Sequence, residues 1–153
     1  MTSRTKSLRR IARLYGVVEE MHSVTLRQAT ATVNEAEGAI RMERNAGALA
    51  AEAGRTALSA GEREEWLLSH AEGEISLMRA KLFEEMKERY VVVEQAAREE
   101  FLASRIKTEQ MKQIVEQRVK QTALEEGRRI QATSDDRYAA RRNWLTSRRS
   151  GVN

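Results

Sequence analysis

Few side chains in this chain can do acid–base or metal chemistry near neutral pH. There are two histidines, His22 and His70, and no cysteine. Without cysteine there is neither a disulfide nor a thiolate nucleophile. Neither histidine has a second His or a Cys at metal-binding spacing. Adjacent carboxylates recur at Glu19-Glu20, Glu64-Glu65, Glu84-Glu85, Glu99-Glu100 and Glu125-Glu126. Paired carboxylates do general acid–base work only where a cleft desolvates one of them, and a chain of long helices offers no cleft. These pairs are therefore expected to be solvated faces. The glycines at 54 and 61 bracket a segment that lacks the lysine and the flanking strand of a phosphate-binding loop. No catalytic, cofactor or metal-binding residue is expected, and the chain is not expected to be an enzyme.

The chemistry that remains is recognition. The net charge is +4, and it is unevenly placed. Residues 1–18 carry Arg4, Lys6, Arg9, Arg10 and Arg13 and no acid, and residues 128–149 carry seven arginines against Asp135 and Asp136. The residues between are mildly acidic with mixed signs, which is the pattern of a solvated helix face. Arginine binds carboxylates bidentately and stays paired at partly buried interfaces. Trp144 stands among Arg141, Arg142, Arg148 and Arg149, with Tyr138 one and a half turns earlier. An aromatic flanked by arginines is the composition of an interface hot spot. A second candidate is Trp66, Leu67, Leu68 and His70. Leu67 and Leu68 are adjacent and cannot both face one neighbouring helix, so one side is left free to dock elsewhere.

The elements that must carry these residues are helices. Proline is absent, aromatics make up 5% of the chain and charged residues 33%; this is a coiled-coil composition, without the β-branched and aromatic runs of strands. Ile11, Tyr15, Val18, His22, Leu26, Ala29, Val33, Ala36 and Ile40 follow steps of three and four, one stripe along a helix. Their mean step is slightly above 3.5, so a strict heptad seam is not expected. A second stripe runs through Leu68, Ala71, Ile75, Met78, Leu82, Met86, Val93, Ala97, Phe101, Ser104, Met111, Val115 and Thr122. Methionine at such spacing is core filler. Ser59 followed by Glu62 fits a capping box. The expectation is an all-α, long antiparallel two-helix coiled-coil hairpin with a longer second helix: helix one about 5–53, a turn about 54–61, helix two about 60–146, all one unit over 1–149, and a disordered tail at 150–153. Folded so, residue i faces about residue 114 − i. The N-terminal basic segment then lies beside residues 96–113, and the last third of helix two projects, either as one helix or bent at Gly127 with Thr133 and Asp136 capping a separate one.

The short first helix, the longer second one and the Arg-rich end resemble the flagellar export protein FliJ family, the central-stalk proteins of type III secretion. The likeness is carried locally by Gln131, Asp135, Asp136, Arg141 and Arg142, and by Ile114, Glu116, Arg118, Glu125 and Glu126. Ser134 stands where the family has leucine, and the arginine pair is displaced by about one position. The resemblance implies a cytoplasmic adaptor, peripheral at the cytoplasmic face of the inner membrane and held there through its partners: a hexameric export ATPase, an export gate membrane protein and export chaperones. It implies that Arg4, Arg9, Arg10, Arg13, Arg129, Gln131, Asp135, Arg141, Arg142 and Trp144 face the ATPase, and that Trp66, Leu67 and His70 meet the gate. It implies no cofactor and no nucleic acid.

The residues themselves leave other readings open. The basic ends suit a coiled coil that binds nucleic-acid phosphates. The thin first stripe suits a structural coiled coil that dimerises in parallel. Residues 4–18 suit an amphipathic membrane anchor or, by their Arg and Ser content, a transit peptide, although the apolar pattern runs on past residue 18. No apolar run approaches the roughly 18 residues that span a bilayer.

Overall fold

A computed structural model of the chain describes residues 3–150. It is an antiparallel pair of helices, α1 (Ser3–Ala60) and α2 (Arg63–Ser150), with no strand among the described residues. Both helices are unbroken. Gly127 lies inside α2, and Thr133 donates to the Arg129 carbonyl as a helix-interior residue, so no separate C-terminal helix is capped there. The side chain of Arg149 and residues 151–153 of the expected tail lie outside the described residues, while Ser150 closes α2.

The connection is shorter than the glycine spacing suggests. The Gly61 amide donates to the Leu58 carbonyl at 3.2 Å and the Glu62 amide to the Ala57 carbonyl at 2.9 Å, with Gly61 at φ +77°. That is a Schellman C-cap, and among the described residues its left-handed position is the one place where glycine is required by backbone conformation. The Glu62 carbonyl then accepts the Trp66 amide at 3.0 Å and opens α2. The capping box is corrected accordingly. Ser59 sits in the last turn of α1, and its hydroxyl donates to the Thr56 carbonyl at 2.8 Å. Gly54 is likewise within α1, not in a turn.

Moving the turn to Gly61–Glu62 shifts the pairing. The helices are joined at Thr30 and Glu94, Gly47 and Ser76, and Gly54 and Ser69 in one compact unit, Val18–Arg105. They are joined at Tyr15 and Thr108 in the other, which comprises Met1–Val17 and Ile106–Asn153. This register is displaced by about two and a half helical turns from the expected one.

The seam is a strict heptad, contrary to expectation. Buried and half-buried positions on α1 alternate steps of three and four from Thr5 through Val33 and Ile40 to Ala57, and on α2 from Trp66 through Ser76, Phe83 and Ala97 to Thr122. A 3.5-residue repeat is the signature of left-handed coiled-coil packing. Much of this seam is small. A Cβ on Gly47 would lie 3.7 Å from the Ser76 Cβ, one on Gly73 3.8 Å from the Ala50 Cβ, and one on Gly54 3.5 Å from the Ser69 Cβ. Small residues let the backbones approach closely, and ordinary van der Waals contact takes the place of large interdigitating side chains.

The close seam overturns much of the expected α2 stripe. Leu68, Ile75, Leu82, Met86 and Val93 are all exposed, and each lies one residue before a seam position: Ser69, Ser76, Phe83, Lys87 and Glu94. One residue is 100° of helix, so these side chains point to one flank of the pair. Ala71 and Met78 point farther out. From Ala97 onward the expected stripe and the seam coincide. On α1, Ile11 and Val18 are displaced in the same way, while His22 to Ile40 fall on the seam.

Candidate functional site

The basic C-terminal segment is built on helix alone. Every described side chain from Ala123 onward is exposed. Steps of 100° per residue sort this segment into stripes. Ile130, Arg137, Arg141, Trp144 and Arg148 share one side; Gln131, Asp135, Tyr138, Arg142 and Leu145 share the next. Trp144 is 55% exposed, with the Arg148 guanidinium 4.5 Å from its ring centroid. That cation–π contact holds the indole at the surface with its face covered by positive charge. The expected ATPase-facing residues of this end are thus all exposed but divide between faces: Gln131, Asp135 and Arg142 together, Arg141 and Trp144 together, and Arg129 apart from both.

Arg4, Arg9, Arg10 and Arg13 are exposed on α1 within the same unit. They run along α2 near Thr108 to Thr122 rather than beside 96–113, and end where the unpaired segment starts. Thr5 is buried between them, and the Thr108 hydroxyl donates to the Tyr15 carbonyl at 3.3 Å. The basic side chains therefore project from a helix whose opposite side is fixed by packing. Nearby on α2, an ion pair with Lys120 at 2.7 Å holds the Glu116 carboxyl below its ordinary range, first through the hydrogen bond and then through charge.

The expected gate-contact cluster is divided by the fold. Trp66 is a half-buried seam residue whose ring edge lies 3.7 Å from where a Gly54 Cβ would be. His70 stacks on it, with ring centroids 5.6 Å apart and planes 12° from parallel. Leu67 and His70 are exposed on one flank and Leu68 on the other. Close by, a hydrogen bond with Glu65 and the charge of that neighbour raise the Glu62 carboxyl above its ordinary value.

Polar groups also occupy the seam of the Val18–Arg105 unit. Glu94 accepts from the Thr30 hydroxyl at 2.8 Å and from Arg98 at 3.2 Å, and Lys87 pairs with Glu37 at 2.9 Å. His22 lies half-buried on the seam with Nδ1 3.4 Å from Glu100. Arg44 pairs with Glu84 across the helices. These are mostly exposed pairs of small individual worth, but their complementary signs favour this register. Among the described residues there is no group of three His, Cys, Asp or Glu able to hold a metal, and no helix is long and apolar enough to cross a membrane. Sequence reasoning missed the outer flank of α2 as an exposed surface; its signal was the one-residue offset of Leu68 and Ile75 from the small Ser69 and Ser76. No protein-family model, curated protein or solved structure matches this chain.

Proposed function

We propose that this chain is a non-catalytic stalk and adaptor of the flagellar type III protein export apparatus, inserting its basic ends into a hexameric export ATPase. The observation that carries this reading is the end of α2: a helix whose described side chains are all exposed from Ala123 onward, bearing Trp144 among arginines. A single helix fits the bore of a ring where a thicker bundle does not, and its arginines can pair with acidic loops as the ring's subunits present them in turn. Arg4, Arg9, Arg10 and Arg13 would then meet the mouth of the ring. In this reading the export gate is met by Leu67 and His70 with Trp66 as their support, export chaperones bind elsewhere along the helices, and the protein stays at the cytoplasmic face of the inner membrane through these partners.

The test is ATP hydrolysis by a purified export ATPase with and without the full chain. Stimulation is expected, with Arg141→Glu, Arg142→Glu and Trp144→Ala removing it. An unchanged rate with the wild-type chain overturns the reading. Six described arginines on one exposed helix, Arg128, Arg129, Arg137, Arg141, Arg142 and Arg148, also support a second reading, phosphate binding on a nucleic acid. That reading requires retardation of a DNA or RNA fragment at low salt and its steep loss as salt rises.

A further inference from the structure

The two flanks of the Val18–Arg105 unit differ. One carries the Arg44–Glu84 and Lys87–Glu37 pairs around an open groove. The other exposes large apolar residues between a few charges. Leu49 is 68% exposed there and Ile75 48%, and the two line one groove between the helices with Ala46 and Ala53. Leu68, Leu82, Met86 and Val93 continue the same flank along α2, and Met42 continues it along α1. Met42, Ala46, Leu49 and Ala53 follow steps of three and four on α1, as a core face does, and on α2 the large apolar residues recur at seven and four; beside Leu68 and Ile75 the hairpin's own seam is filled by the smaller Ser69 and Ser76.

The charges on this flank identify what covers it. Along α2 the positions in line with Leu68 and Ile75 include Glu65 and Glu72 toward the turn and Arg79 and Arg89 away from it. From Glu65 to Val93 the acids of this line are on one side of Ile75 and the bases on the other, with Glu100 beyond them. A copy of the same flank laid antiparallel across a two-fold sets α2 over α2 and acid over base at both ends. The antiparallel arrangement is isologous, since each copy uses the same patch. Arg79 also reaches Glu43 at 3.9 Å within its own chain but remains largely exposed. The extent is sufficient. The flank from Leu68 to Val93 is about 38 Å long and two helices wide, roughly 750 Å² on each copy, close to the 800 Å² or so per partner of a stable interface.

We propose that this flank is the contact between two copies of the chain, packed antiparallel about a two-fold axis near Ile75 and Arg79. The axis places Leu68 of one copy near Met86 of the other, Leu49 near Met42, and Glu65 near Arg89. Four helices then enclose the apolar residues that one hairpin leaves in water. None of the arginines near the chain ends belongs to this contact.

The test is sedimentation equilibrium of the full chain up to about 100 μM, with helicity read on the same samples. A monomer–dimer equilibrium is expected. Ile75→Lys with Leu82→Lys should weaken it by at least about tenfold at unchanged helicity, while Leu77→Lys on the charged flank should leave it intact. Glu65→Arg should weaken it, and adding Arg89→Glu should restore it. A chain that stays monomeric over the whole range, or a dimer indifferent to Ile75→Lys with Leu82→Lys, overturns the proposal. Dimers weakened by Glu65→Arg but not restored by Arg89→Glu overturn the antiparallel two-fold.

Discussion

Gly61 is the residue on which the hairpin turns. Its φ of +77° is reached by glycine without steric cost, and a Cβ added there would meet nothing within 4 Å. The whole penalty of a substitution is therefore in the backbone. Gly61→Ala is expected to destabilise the chain by about 1–2 kcal/mol, visible as a lower melting temperature by circular dichroism. The neighbouring Glu62 gives a second prediction. Its carboxyl is raised first by the hydrogen bond with Glu65 and then by that residue's charge. A raised carboxyl favours the protonated form in the folded state. Its contribution to stability is present below the unfolded-state pKa and is lost as pH rises through the folded value. Glu65→Gln should return the Glu62 titration toward the ordinary carboxylate range, as followed by NMR; a Glu62 curve that stays put would place the cause elsewhere. Neither residue announces this in the sequence, where Glu62 reads as half of a capping box.

At the scale of the helices, the seam is limited by closeness. A Cβ on Gly47 would sit 3.7 Å from the Ser76 Cβ, an ordinary contact, so alanine fits. Gly47→Ala should leave the seam intact and gain up to about 1 kcal/mol of helix propensity. Gly73 is as close to Ala50, and leucine there has no room. Gly73→Leu should cost about 2 kcal/mol or more by wedging the helices apart, measured by urea unfolding. If both substitutions behave alike, the close packing of this seam is refuted. Hydrophobicity alone could not reveal it. Leu68 and Ile75 outrank Ser69 and Ser76 on any apolar scale, and the two sets share one period. At Val33, Ile40 and Phe101, large residues on the seam, pattern and packing agree; at Phe83 they do not.

Across the whole molecule, support for helix is uneven. Between Thr5 and Thr122 each helix has the other as a neighbour; from Ala123 onward every described side chain of α2 is exposed. An unpaired helix draws only on propensity, short-range pairs and continuity with the packed turns before it. Amides of residues 124–148 should therefore exchange with solvent much faster than those of residues 33–40 and 97–108. Equal protection in both regions would mean that another surface covers the end of α2. This unpaired segment is where the export-ATPase reading puts its contact, and binding such a ring should slow the exchange there first.

The fold class was written in the sequence by itself. Without proline, with few aromatics and abundant charge, the chain has no alternative to long helices, and a glycine pair a third of the way along marks where they reverse. The basic ends were equally legible, because exposed charge needs no partner to be recognised. The tertiary structure alone decided which of two parallel stripes faces inward, where along the glycine-bracketed segment the reversal falls, and that Trp66 belongs to the seam. Those choices depend on how near two backbones can come, and closeness is a property of pairs of residues far apart in the chain. Gly47 opposite Ser76 and Gly54 opposite Ser69 allow the approach, and that approach leaves Leu68, Ile75 and Leu82 outside.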